Sequence, residues 1–514
     1  MSKPVPRPGV TPTPQDRSPA IIAWRTVVAA LAVGLVVGST GLIAPSQPAV
    51  AKASDSALTK RITSVMKDSR VTRGHTAAVV VDAATGREIY QRNGSRATLP
   101  ASNTKIVTAA AAMHTLGPDY RFSTRVIRRA RVVGSTLQGR LYLKGYGDPT
   151  TQVGDYQALA RQVRAAGIRT VTGKLVVDAS YFDSVRYNPT WRTSYADHYY
   201  AAEISALTVA PNADYDSGTM IIKYRPGRVG QRAKITTYPA AAAAAGPKKK
   251  NTTTPKNGPA PTIEARPGHG SNTVTVTGRV PSNRSGSRLI TVHRPELYAA
   301  AVFRAELKKA GVTVKGKSLA TATPTGLRKT LATDYSMKLS QLLVPFMKLS
   351  NNMHAEALTK AMGARRSGAP GTWSNGLRAT RSYLSSVGVP MSGVSLSDGS
   401  GLTRANTITP RALGALLVKV QKGRWFPAFK ASLPVAGNTG RMTGGTLRHR
   451  MNRTRAANHA WAKTGTLTGV TALSGYVQGR DSRLYVFSML SNYSGSTPRP
   501  VEDELVVTLA NWRS

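Results

Sequence analysis

The spacing of apolar positions changes character several times along the chain. Leu58, Ile62, Val65 and Met66 recur at helical intervals, which predicts an amphipathic helix over 56–69. "HTAAVVVDAATGREIYQRN" (75–93) reads as two strands around the turn Ala84-Thr85-Gly86, a hairpin. "LPASNTKIVTAAAAMHTL" (99–116) opens on Pro and small residues and continues as an apolar, alanine-rich helix. From about Phe122 to Ile290 the pattern breaks into short β segments such as "GRLYLKGYGD" (139–148) and "VTGKLVVDASYFD" (171–183). Helical periodicity returns at His293 in "HRPELYAAAVFRAELKKAG" and again in "LSQLLVPFMKLSNNMHAEALTKAMG". Two strands, "HAWAKTGTLTGVTALSGYVQG" and "SRLYVFSMLSN", and the helix "PVEDELVVTLANWR" close the chain.

This order predicts an α+β fold: one antiparallel sheet built from both chain ends, covered by helices, and interrupted by a β-rich insertion. The expected divisions are a leader over 1–51, a first sheet-and-helix segment over 52–122, the insertion over 123–290, and a second segment over 291–514. Within the insertion, the Ala-, Pro- and Lys-rich stretch 239–261 is expected to be a mobile loop.

The leader reading rests on charge as well as hydropathy. Thr26 to Ala51 carries no charge, follows Lys3, Arg7, Arg17 and Arg25, and ends in Ala49-Val50-Ala51. That is a signal peptide with cleavage expected after Ala51, or else an uncleaved anchor of near-spanning length. Either places the chain in the cell envelope or outside the cell. With 71 Lys and Arg against 24 Asp and Glu, the formal charge is +47. Such a surplus favours polyanions. An extracytoplasmic address makes anionic wall polymers the expected ones and argues against nucleic acid. The absence of cysteine from the sequence rules out disulfides and thiolate metal sites. The eight histidines show no ligand spacing, no H-E-x-x-H occurs, and His354-x-Glu356 has no cysteine pair to complete a deaminase zinc site. No metal or cofactor is expected.

The chemistry concentrates in three short motifs. Ser102 and Lys105 stand three apart at the head of the apolar helix, so the amine can reach the hydroxyl. A serine hydroxyl needs a neighbouring base, and a buried lysine can be one because desolvation lowers its pKa. The same S-x-x-K spacing recurs at Ser64 and Lys67, so the pattern alone decides nothing. Ser350-Asn351-Asn352 is the one S-x-N, at the junction between two predicted helices. It can relay a proton and fix a carbonyl, or simply cap a helix. Lys463-Thr464-Gly465-Thr466 is the one K-T-G, on a predicted strand. Its lysine can supply positive charge, its hydroxyls can bind a carboxylate, and its glycine lets a substrate backbone approach. No G-x-S-x-G elbow exists to support a rival serine hydrolase.

Taken in this order, S-x-x-K, S-x-N and K-T-G resemble the signature of penicillin-binding proteins and serine β-lactamases. More narrowly, the chain resembles the D-alanyl-D-alanine carboxypeptidase/endopeptidases of peptidase family S13, a class C type of penicillin-binding protein. The stretches 141–150, 204–218, "LSDGSGLTRAN" (396–406) and 432–447 share in that resemblance. It implies a transpeptidase-like fold that needs no cofactor, acts on peptidoglycan stem peptides and is acylated by β-lactams. It further implies Ser102 as nucleophile, Lys105 as base, Ser350 passing a proton to the leaving group with help from Lys105 or Lys463, and Asn352 holding the substrate amide. Thr464 and Thr466 would bind the terminal carboxylate beside Gly465. Asp197, in the tyrosine-rich stretch 193–211, would offer a carboxylate to a free amine on the stem, or else cap a turn. Leu402 and Leu467 would floor the groove. A β-lactamase and a non-catalytic wall-binding protein are the competing readings. The first is weakened by the lack of an E-x-x-L-N pattern.

Overall fold

The computed structural model describes residues 49–513, apart from 229–230, 241–248, 252–253, 256–260, 268–271 and 273. The leader therefore lies almost wholly outside the described residues. A helix, α1 (Ala49–Val65), begins near the expected cleavage point. Among the described residues no helix is long and apolar enough to cross a membrane.

Five antiparallel strands form the principal sheet: β1 (His75–Asp82), β2 (Glu88–Arg92), β3 (Ala460–Leu467), β4 (Val470–Gln478) and β5 (Leu484–Asn492), in the order β2-β1-β5-β4-β3. The two chain ends meet where β1 pairs with β5, with Val80 opposite Phe487. Strands β4 and β5 are buried along nearly their whole length rather than alternately. A sheet covered on both faces reads this way. Successive residues of β1 show the two layers: Val79 and Val81 enter one core with Ile106 and Leu413, and Ala78 and Val80 enter another with Leu58 and Leu505. Helix α2 (Thr104–Thr115) runs through the first of these cores. Ala109 to Ala112 are fully buried there, and their small side chains allow close approach from all sides. Strand β3 lies at the sheet edge; residues 434–436 bridge its first half at Trp461, and its second half has no strand alongside among the described residues.

The middle of the chain builds a second core around a mixed five-stranded sheet. Residues 141–145 lie between 123–128 and 175–178, and helices Val153–Ala165 and Pro295–Lys309 pack in through Tyr156 and Phe303. Helix Pro295–Lys309 and strand Lys329–Tyr335, the latter paired with Ser123–Arg128, also belong to this packing. Both lie beyond residue 290. Apolar periodicity fixes that a helix forms there, but not which core receives it. The stretch 239–261 also departs from a plain loop. Lys249–Asn251 pairs in parallel with Val274–Thr277, and Thr254–Pro255 with Arg279–Val280, because the Val/Thr strand offers an edge.

Candidate active site

The turn that carries Ser102 is a short 3-10 helix, Ala101–Asn103, leading into α2. Ala101 holds a left-handed φ of 45°, unusual for a residue with a side chain. Several contacts enforce it. Asn103 Nδ2 donates to Ser474 Oγ on β4 at 2.7 Å, and Thr108 Oγ1 donates to the Gly399 carbonyl at 2.7 Å. Gly401, also left-handed, lies so close that a β-carbon there would sit 1.8 Å from the Ala101 carbonyl oxygen.

Lys105 is fully buried, whereas Ser102 is partly open. Its Nζ lies 2.9 Å from Ser102 Oγ, 2.6 Å from Asn352 Oδ1 and 2.8 Å from the Ser400 carbonyl oxygen. Burial lowers its pKa to about 7, against the opposing pull of the Asp398 and Glu356 charges. A neutral amine has two hydrogens and one lone pair. Two of its three partners are carbonyl oxygens that can only accept, so both hydrogens are committed and the lone pair faces the Ser102 hydroxyl. The amide orientation of Asn352 is fixed independently, since its Nδ2 donates to the Tyr200 carbonyl at 2.8 Å. Both ends of that amide are thus engaged within the protein, a bridging role that was not anticipated.

Helix Leu339–Lys348 stops and helix Asn352–Ser367 starts around the S-x-N motif. The cap is Asn351, whose side chain accepts from the amides of Met353 and His354. Capping therefore consumes neither Ser350 nor Asn352. Ser350, at φ 59°, points its hydroxyl to Lys463 Nζ at 2.8 Å. Lys463 is also fully buried and has no acidic partner among the described residues. Burial, followed by the nearby Lys105, pushes its pKa well below the usual lysine value. This setting disfavours a permanently charged Lys463.

Gly465 also differs from expectation. A β-carbon there would lie 2.7 Å from the Pro100 carbonyl oxygen and 3.2 Å from Ala101 Cβ. The glycine admits the backbone of the turn that carries Ser102, a contact the expected approach of a substrate did not include. Thr464 Oγ1 donates to Thr446 Oγ1 at 2.8 Å, and Thr466 is exposed on the open edge. Leu402 packs with Trp191 and Ala201, and Leu467 lies against the same group with Tyr195 and Tyr200. Asp197 is half-buried close to Tyr187 and makes no hydrogen bond or ion pair with another described residue.

Two buried acids escaped the sequence reading. Glu356 accepts from Trp373 Nε1 at 2.7 Å and from the Gly399 and Ser400 amides at 3.0 and 2.8 Å. Asp398 accepts from Trp191 Nε1, Gly401 N and Thr403 N at 2.7–2.9 Å. Together they hold the loop that presents the Ser400 carbonyl to Lys105. Glu356 stands four residues after Asn352, on the same helix face, and that spacing was the available signal. The second S-x-x-K is of another kind: Ser64 and Lys67 are both exposed. Among the described residues no group of His, Asp and Glu could hold a metal.

Residues 58–512 match the D-Ala-D-Ala carboxypeptidase 3 (S13) family. The chain belongs to that family. A D-alanyl-D-alanine carboxypeptidase of Actinomadura sp. (strain R39) is 40% identical over 474 residues, 91% of this chain and 87% of that one. D-alanyl-D-alanine carboxypeptidase DacB of Haemophilus influenzae is 26% identical, with 79% and 83% covered. The crystal structure of penicillin binding protein 4 from the same organism superposes with a TM-score of 0.74 over 87% of this chain and 98% of that one, at 24% identity. The S13 chain is thus a serine-type D-Ala-D-Ala carboxypeptidase, and its mixed fold is the one the motif order implied.

Proposed function

We propose that this S13 enzyme trims peptidoglycan stem peptides through an ester on Ser102. The observation that carries the reading is Lys105, buried, with its Nζ within hydrogen-bond distance of Ser102 Oγ, Asn352 Oδ1 and the Ser400 carbonyl. Once neutral, it commits both hydrogens to the two carbonyl oxygens and keeps its lone pair for Ser102. Ser102 Oγ attacks the carbonyl carbon of the D-Ala-D-Ala bond and gives its proton to Lys105. The backbone N–H groups of Ser102 and Thr466 stabilise the oxyanion. Ser350, held by Lys463, gives its proton to the departing amine and recovers one from the Lys105 ammonium, which frees that lysine again. Thr464 and Thr466 hold the leaving carboxylate. Water then cleaves the ester and restores Ser102.

When the departing amine belongs to a neighbouring stem, the same steps open a cross-link, so endopeptidase action is part of the proposal. Penicillins acylate the same serine; the Haemophilus influenzae protein has been crystallised with a β-lactam. Asp197 serves a free amine on the acyl half, above the floor formed by Leu402 and Leu467. The transpeptidase-like segments flank the inserted region, the leader exports the chain, and its +47 charge holds it near anionic wall polymers. The test is incubation with a fluorescent penicillin and mass-spectrometric mapping of the adduct. Labelling of Ser102 is expected; a folded sample without label, or label elsewhere, would overturn the reading.

A further inference from the structure

Strand β3 gives the active site two ends. At one, Lys463 meets Ser350 and Thr464 meets Thr446, each at 2.8 Å. At the other, Leu467 packs against the cluster of Trp191 and Leu402. A cavity of about 250 Å³ opens at the Lys463 end, with Ser350, Asn352 and Thr446 in its wall. Under the proposed function Ser350 protonates the leaving amine, so this cavity lies on the leaving-group side. The methyl group of a departing D-alanine would leave most of it empty.

The charges of the cavity are not all spent. Arg441 and Asp214 pair with one another, with Arg441 Nε 3.0 Å from Asp214 Oδ1. Asp216 accepts from Asn212 Nδ2 at 2.7 Å. Arg448 has no carboxylate partner among the described residues; its Nε donates to His449 Nε2 at 3.0 Å, and its side chain is half-buried. A partly desolvated guanidinium without a counter-ion is a natural receptor for a carboxylate, because the charge-assisted bond needs little further desolvation.

We propose that this cavity is a subsite for the leaving residue, and that Arg448 selects leaving D-amino acids whose long side chains end in a carboxylate. The inference rests on the proposed acyl transfer at Ser102. Chemically nothing changes in the bond broken: the amide C–N is cleaved, Ser102 takes the acyl half, and the amine departs with the proton from Ser350. What changes is which amine departs fastest. The natural source would be a cross-linked or modified stem, not a terminal D-alanine.

The test compares three synthetic peptides with the same acyl-D-alanyl half and a leaving D-alanine, D-norleucine or D-α-aminoadipate. Release of each amino acid gives kcat/KM. Wild-type enzyme should favour D-α-aminoadipate over D-norleucine by roughly tenfold or more, the scale of one charge-assisted contact. Arg448→Ala should bring that ratio close to one, and Arg448→Lys should retain part of it. Equal rates in wild-type enzyme, or an unchanged ratio in Arg448→Ala, would overturn the assignment. Slower penicillin acylation of Arg448→Ala would overturn it too, by making Arg448 part of the scaffold. Failure of wild-type Ser102 to take penicillin would instead remove the proposed function beneath it.

Discussion

Ser64-Val65-Met66-Lys67 and Ser102-Asn103-Thr104-Lys105 share one spacing and differ in almost everything else. The first ends a helix on the molecular surface, and its serine and lysine both face water. The second begins a helix that runs through a core, and its lysine has no exposed surface at all. The Lys67 amine is solvated and has no side-chain partner among the described residues. A buried amine is penalised for holding charge, and here it is held by two carbonyl oxygens whose own positions are set by helix 352–367 and loop 396–406. Burial, then, is what separates the two copies of a common tetrapeptide spacing, and it is what the proposed roles of Ser102 and Lys105 rest on.

The sharpest way to break the comparison is to remove each serine. Ser102→Ala should lower penicillin acylation and D-alanine release by roughly three orders of magnitude or more, as loss of a nucleophile does elsewhere. Stopped-flow acylation and intact-mass measurement would report it. Retained acylation in Ser102→Ala would move the nucleophile.

The second test asks whether Lys105 works as a base or as a charge. Lys105→Arg keeps a cation that stays protonated, so it should cost nearly as much as Lys105→Ala, about 10²- to 10⁴-fold in the acylation rate. Lys463→Arg should also be damaging. Lys463 sits fully buried with no acid beside it among the described residues, and a guanidinium there could neither lose its charge nor exchange a proton with Ser350. Near-normal acylation in either arginine variant would show that charge alone is needed at that position.

How far could this have been read without coordinates? The three motifs were legible because each is local: a helix face, a helix junction and a strand. The assembly of the sheet from both chain ends followed from element order. The partners of Lys105 were not legible in the same way. The Ser400 carbonyl comes from a loop almost 300 residues away in sequence, placed by Glu356 and Asp398, and no periodicity reports such a meeting. Half of what Gly465 does was hidden for a related reason: the glycine was visible, but the Pro100 carbonyl packed against it was not. The cap at Asn351 was hidden among three capping-competent residues in a row, which local preference cannot rank.

A smaller effect concerns pH. Lys105 must be neutral to accept the Ser102 proton, and its pKa is lowered to about 7. The second-order rate of penicillin acylation should therefore be low in acid, rise about tenfold per pH unit below that value, and level off above it. An ordinary lysine in the same role would place the rise more than three units higher. A profile still climbing steeply between pH 9 and 10 would mean that the amine behaves as a solvated one, and the contrast with Lys67 would lose its basis.

The smallest expected effect is the one that completes the comparison. Ser64→Ala and Lys67→Ala, singly or together, should leave acylation unchanged within error. Both side chains are exposed, and neither forms a side-chain hydrogen bond or ion pair with another described residue. Stability should hardly move. Surface substitutions of this kind fall within about 0.5 kcal/mol, and alanine is the better helix former at Ser64 near the end of α1. In a chain of this size that corresponds to a melting shift of at most about 1–2 °C. Calorimetry and penicillin labelling of the double variant would check both halves. A loss of labelling without a loss of stability would be the informative surprise, because it would tie α1 to the active site through the sheet that separates them. Ile62, between Ser64 and the core, is fully buried with Leu58 against β1 and β5. Ile62→Ala should therefore destabilise by about 2–5 kcal/mol. The same helix would then respond strongly on its inner face and hardly at all on the face that carries the second motif.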